Sequence, residues 1–139
     1  MILLDTSGLL AALDESQRYH SECATALREA APPLLLSPFV LAELDYLLAR
    51  HIGHDAQTAL LAEVARGAYQ LEPFSAADVA RAREVVGKYS NLEIGLADAS
   101  IVVLAERHAV KDVLTLDQRH FRTLRIGRSK RFRILPLDQ

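Results

Sequence analysis

The stretch Met1-Ile2-Leu3-Leu4-Asp5-Thr6-Ser7-Gly8-Leu9-Leu10-Ala11-Ala12-Leu13 decides the fold class. Its first apolar run, Ile2 to Leu4, is too short for a helix. It stops at Asp5-Thr6-Ser7-Gly8 and gives way to a second apolar run, the order of a strand, a turn and a helix. A strand without polar alternation is covered on both faces, as in parallel sheets flanked by helices. The same unit recurs downstream. A helix is expected from about Gln17 to Ala30, stopped by Pro32-Pro33 ahead of the apolar run Leu34-Leu35-Leu36. Ser37-Pro38 supplies an N-cap and a proline at the first helical position, opening a helix to about Arg50. Gly53 breaks that pattern, Asp55 to Arg66 resumes it and Gly67 ends it. Tyr69-Gln70-Leu71 reads as a third strand, followed by a helix capped by Ser75 and running to about Tyr89. Leu96 to Arg107 is helical, Val113 to Leu116 a fourth strand, and Arg131 to Leu135 a fifth that Pro136 terminates. The expected class is α/β, a five-stranded mainly parallel sheet flanked by helices on both faces.

The 139 residues fit one domain, and no linker, repeat or low-complexity tract interrupts them, so residues 1–139 are expected to form a single unit. Half of the residues are hydrophobic and 24% charged, which excludes disorder of the whole chain. No apolar stretch approaches the roughly 18 residues of a membrane helix. Nor does a basic segment precede Ile2, so neither membrane insertion nor export is expected. The one cysteine, Cys23, cannot form an internal disulfide, and a reducing cytoplasm fits. Charge is unevenly spread. Asp117 to Gln139 holds seven basic residues against two acids, a net +5, which leaves −7 for the rest of the chain. A polyanionic partner near the basic end would use such asymmetry, although solvated surface also produces basic runs.

Four acids stand in unusual places. Asp98 lies in Ile94-Gly95-Leu96-Ala97-Asp98-Ala99-Ser100-Ile101-Val102-Val103-Leu104-Ala105, a helix apolar almost all round and therefore buried. Ionising a carboxylate there is costly unless a cation or hydrogen-bond donors meet it. Glu43 sits early in the helix opened by Ser37, and Asp5 and Asp117 follow strands. Ligands of parallel α/β sheets bind at the carboxyl ends of the strands. Taken alone, each acid has an ordinary explanation: a helix cap, a turn, a surface position or a distant arginine. Together they point to one shared site. Converging carboxylates raise each other's pKa values, and a divalent cation relieves them. All-oxygen ligation favours Mg²⁺ or Mn²⁺ over zinc, a site suited to phosphate chemistry.

The ordered set of Asp5-Thr6-Ser7 after the first strand, Glu43 on the third helix, Asp98 on a buried helix, and Thr115-Leu116-Asp117 followed by Phe121 resembles the PIN domain. More narrowly it resembles the VapC toxins of bacterial toxin-antitoxin pairs, over essentially the whole chain. The resemblance implies a metal-dependent endoribonuclease with a five-stranded parallel sheet. It also implies a homodimer silenced by a VapB antitoxin whose C-terminal segment occupies the active-site groove. Carried over, Asp5, Glu43, Asp98 and Asp117 form the acidic, metal-binding site, with Thr6 and Thr115 as supporting hydroxyls. Arg119, Arg122 and Arg125 in the basic end are expected to hold RNA phosphates. Selective cutting needs unpaired bases, hence a loop of a structured RNA. The stretch from Ser37 to Tyr46 looks closest to family members that cut the ribosomal sarcin-ricin loop, which favours that target over a transfer-RNA anticodon loop.

Other readings are weaker. His51-Ile52-Gly53-His54 spells a nucleotide-binding tetrapeptide of class I aminoacyl-tRNA synthetases, but lies between two helices instead of after the first strand. A haloacid-dehalogenase-type phosphatase needs a second Asp where Ser7 stands, and a response-regulator receiver lacks its acceptor Asp, since Leu71 is followed by Glu72-Pro73. A non-catalytic RNA- or protein-binding module with the same fold is the alternative to an enzyme. His20, His108 and His120 show no ligand spacing, and a polar surface role is expected for each.

Overall fold

The computed structural model describes residues 1–139. Strands β1 (Ile2–Leu4), β2 (Leu34–Leu36), β3 (Gln70–Leu71), β4 (Asp112–Leu114) and β7 (Arg133–Leu135) form one sheet in the order β3-β2-β1-β4-β7, with every pair parallel. β1 is central: Leu3 is in register with Leu35 on one side and Val113 on the other. All three β1 residues are buried, as the unbroken apolar run predicts. Helices α1 (Thr6–Leu13), α2 (His20–Glu29), α3 (Pro38–His51), α4 (His54–Ala65), α5 (Ala76–Lys88), α6 (Leu96–His108) and the short α7 (Gln118–Phe121) complete the α/β architecture. A contiguous core of 32 buried hydrophobic residues runs through it.

Local chemistry sets the boundaries. Ser37 Oγ accepts from the Phe39 N–H with Pro38 at the helix start, and Ser75 with Asp78 forms a full capping box on α5. Gly53, at φ +136°, turns the chain from α3 into α4, with its N–H donating to the Leu48 carbonyl. The His-Ile-Gly-His stretch is therefore a helix-helix corner. Cys23 is wholly buried in α2, and burial pushes its thiol up to about 11.

Three expectations need correction. α2 begins at His20, not Gln17, because the Asp14 carboxylate accepts from the Ser16 N–H, the Ser16 hydroxyl and the Gln17 side-chain amide, holding that segment in a turn. The expected fifth strand divides. Lys130–Arg131 (β6) pairs antiparallel with Arg125–Ile126 (β5) in a separate hairpin, and only Arg133–Leu135 joins the main sheet. β4 also ends at Leu114, although the Thr115 N–H still reaches the Leu135 carbonyl at 3.0 Å.

One close approach fixes the carboxyl edge of the sheet. A Cβ on Gly8 would lie 2.4 Å from the Leu114 carbonyl oxygen and 2.8 Å from the Thr115 nitrogen. Only glycine lets the first turn of α1 rest directly on the end of β4.

Candidate active site

Asp5, Glu43, Asp98 and Asp117 line one cleft of about 360 Å³. Four elements deliver them. Asp5 ends β1 and immediately precedes α1, Glu43 is in the second turn of α3, Asp98 is in the first turn of α6, and Asp117 is the N-cap of α7. Asp5 is 5% exposed. Its Oδ2 accepts from the hydroxyls of Thr115 at 2.6 Å and Ser7 at 3.0 Å. Burial pushes the Asp5 carboxyl up, against those hydrogen bonds, and the charge of Asp117 adds to the rise. Asp98 is pushed up to about 6, first by burial, then by the charge of Asp5, with Asp117 also raising it and His120 opposing. Glu43 is exposed and forms the outer part of the cleft wall.

The hydroxyls are woven through these acids. Ser7 Oγ also accepts from the Leu116 N–H at 3.0 Å, and Thr115 Oγ1 accepts from the Asp117 N–H at 2.9 Å. Thr6 lines the cleft, and its Oγ1 is buried without a hydrogen-bond partner. A buried hydroxyl left unpaired is costly unless a ligand or water meets it.

His120 belongs to this cluster, contrary to the surface role expected from its sequence position. Its Nδ1 lies 2.9 Å from Oδ2 of Asp98 and 2.9 Å from Oδ2 of Asp117, while its backbone N–H caps on Asp117 Oδ1 at 3.0 Å. The signal in the sequence was the spacing of three from Asp117, which puts both on one helical turn. His108 is likewise no free surface group: it contacts the buried Glu72. His20 Nδ1 lies 2.8 Å from the Ala11 carbonyl.

No lysine or arginine lines the cleft or pairs with Asp5, Asp98 or Asp117. Negative charge there is met only by hydroxyls, backbone N–H groups and one imidazole. Ligand atoms of Asp98, Asp117 and His120 lie within 4.8 Å of one another. Together with the orphaned Thr6 hydroxyl, this donor set fits a divalent cation.

The basic end is less open than its composition suggests. Both terminal nitrogens of Arg122 pair with Asp138, at 2.7 and 2.6 Å. Arg125 Nη1 donates to the carbonyls of Arg122, Thr123 and Leu124, which fixes the side chain without neutralising it. Arg119 is exposed and has no ion-pair partner.

Comparison with known proteins agrees with this geometry. The family model described as PIN domain matches residues 2–126. Ribonuclease VapC26 of Mycobacterium tuberculosis is 43% identical over 135 residues, 97% of this chain and 100% of that protein. The crystal structure of VapC20 of Mycobacterium tuberculosis, a sarcin-ricin-loop-cleaving toxin, matches with a TM-score of 0.80 at 22% identity, covering 86% of this chain and 92% of the other. At that identity the likeness is one of fold. FitAcB from Neisseria gonorrhoeae matches with a TM-score of 0.59 at 25% identity, over 87% and 91% of the two chains.

Proposed function

Because the chain belongs to the PIN-domain family, as a VapC ribonuclease toxin, we propose that residues 1–139 work as one metal-dependent endoribonuclease domain. Water attacks a phosphodiester and leaves 5′-phosphate and 3′-hydroxyl ends. Asp5, Asp98 and Asp117 are the principal ligands of Mg²⁺ or Mn²⁺. Glu43 completes the site or orients the attacking water, and Thr6 and Thr115 support the carboxylates. The observation that carries this reading is the convergence of four acids in one cleft without a lysine or arginine. A divalent cation bound there supplies activation of water and charge neutralisation at the phosphodiester. The protein's own contribution is to hold its carboxylates in place through Thr115 and Ser7, with His120 between Asp98 and Asp117.

For the substrate, we take the ribosomal sarcin-ricin loop ahead of a transfer-RNA anticodon loop, on the likeness of the Ser37–Tyr46 stretch to loop-cutting relatives. Arg119 is the free cation of the basic end, and Arg125 keeps its charge. Arg122 contributes where a phosphate displaces Asp138. The partners are a VapB-type antitoxin and a second copy of the chain. The exposed side chains of Tyr46, Ile52 and Leu61, at 61%, 45% and 40%, support such contacts on α3, α4 and the turn between them. No helix is long and apolar enough to cross a membrane, and the cytoplasm is where the substrate lies.

The test is cleavage mapping by primer extension on total cellular RNA with purified protein. Cuts at the sarcin-ricin loop that require Mg²⁺ or Mn²⁺ support the reading. Cuts confined to transfer RNA overturn the target, and cutting that persists after chelation overturns the metal. A monomer at micromolar concentration, with no small protein copurifying from its native operon, overturns the partners.

A further inference from the structure

Beside the acidic cleft, at the same carboxyl edge of the sheet, a second hollow of about 350 Å³ opens between the start of α2 and the ends of β4 and β7. Tyr19, Glu22, Leu116, Gln118, Pro136 and Leu137 form its walls. Three residues tie it to the acids. Thr115, whose hydroxyl holds Asp5, also borders the hollow, and Leu116 and Gln118 flank Asp117. The hollow and the acids thus share the turn from Thr115 to Gln118.

We propose that the hollow is a base-binding subsite that takes one unpaired base next to the cut phosphate, stacked on Tyr19, with guanine preferred and uracil least favoured. The proposal rests on the ribonuclease reading above and adds how the site selects its RNA. Tyr19 is 42% exposed, and the Arg18 guanidinium lies 5.3 Å from the centre of its ring, a cation–π contact that braces the aromatic plane. Leu116, Pro136 and the 57%-exposed Leu137 supply apolar surface. Polar reach comes from Glu22 and Gln118.

This mixture excludes the charged part of RNA and suits the flat part. The Glu22 carboxylate repels phosphate, but accepts hydrogen bonds from amino and imino groups. Only guanine presents two such donors side by side to a carboxylate. Uracil offers one N–H between two carbonyls, each of which would face the acid. Specific recognition of RNA rests on stacking and on reading the edges of splayed-out bases, and stacking on one aromatic side chain tightens binding by roughly five- to hundredfold per base. Arg119, directly after Gln118 and free of partners, is placed to hold the phosphate of the same nucleotide.

Asp98→Asn protein, expected to bind RNA without cutting it, permits a direct test with fluorescent hexanucleotides in Mg²⁺ buffer. The probes are an abasic hexamer, hexauridylate, and hexauridylates carrying one guanosine at each position in turn. The best guanosine probe should bind about tenfold more tightly than the abasic chain. Adding Tyr19→Ala should cut that ratio to below about threefold while leaving abasic binding unchanged, and Tyr19→Phe should keep it. Glu22→Gln should erase the preference for guanosine over uridine. A ratio unaltered by Tyr19→Ala overturns the subsite. So does a Tyr19→Ala protein that binds RNA normally but loses its antitoxin, since the hollow is then a protein contact. Failure of the parent protein to cut any RNA in Mg²⁺ or Mn²⁺ overturns the underlying reading instead.

Discussion

The Thr115 hydroxyl donates a 2.6 Å hydrogen bond to Asp5, a residue 110 positions earlier in the chain. The same oxygen accepts from the Asp117 N–H, so one side chain sets the positions of two proposed ligands. Thr115→Val keeps the shape and removes both contacts. Cleavage should fall about 10- to 100-fold, the usual cost of losing an outer-shell partner, and Thr115→Ser should recover most of it. The check is the cleavage rate across a Mn²⁺ titration, where the Val variant should also need more metal.

Asp98→Asn should abolish cutting, by more than about a hundredfold, while raising the melting temperature of the metal-free protein. Removing the charge relieves both the desolvation of a half-buried carboxylate and its repulsion with Asp5. Addition of millimolar Mn²⁺ should raise the melting point of the parent, because ligand binds the native state alone, and should raise that of the variant less. Calorimetric scans of both proteins with and without metal decide it.

The pH dependence has a definite sign. Asp98 binds its proton more tightly in the folded state, at about 6, than in the unfolded state near 3.8. The native state therefore loses stability as pH rises through that window. The difference in urea stability between Asp98→Asn and the metal-free parent should be near zero below pH 4. It should grow through pH 6 to a plateau of at most about 3 kcal/mol. A difference that stays flat from pH 4 to 8 would sink the account of the cleft.

Glu72, 5% exposed at the end of β3, tests packing away from the acids. Burial alone would raise its carboxyl; hydrogen bonds from Gln70, His108 and Arg107 bring it below the ordinary range. Its contribution to stability is present at neutral pH and lost as pH falls through the glutamate range. Glu72→Gln should destabilise the protein by about 1–3 kcal/mol, measured by urea unfolding at pH 7. Cleavage per folded molecule should be unchanged.

The arginines should separate in salt titrations of RNA binding. Arg119→Gln should lower the slope of log affinity against log salt by about 0.7, one single-strand phosphate contact. Arg122→Gln should lower it less, because Asp138 already occupies that guanidinium. Neutralising Arg119, Arg122 and Arg125 together should flatten it most, and an unchanged slope in the triple variant would return the segment to solvated surface.

Much of this was legible in the sequence, where a residue's role followed from its neighbours. Unbroken apolar runs marked β1 and β2, Ser37 and Ser75 marked helix starts, and the odd placement of Asp5, Glu43, Asp98 and Asp117 marked the acidic cleft. What escaped depended on contacts distant in sequence. Apart from its spacing of three from Asp117, nothing in the sequence sets His120 apart from a surface histidine; its role comes from α6 bringing Asp98 alongside. Arg122 reads as a free cation until the chain end folds back and Asp138 meets it. The β5–β6 hairpin consists of two-residue strands, too short for alternation to appear, and Glu72, just after β3, meets its partners Arg107 and His108 only at the end of α6.

The distribution of the acids over four elements has a consequence for how such a toxin is made. Asp5 and Asp117 lie 112 residues apart, and the strand that leads to Asp117 is flanked by β1 and by β7, the last strand of the sheet. No contiguous piece that lacks either Asp5 or Asp117 carries the site. The acids can meet only after β4 has been made and has paired beside β1, so a growing chain that stops short of Asp117 carries no nuclease site. A single protease nick that frees either end takes the weapon apart.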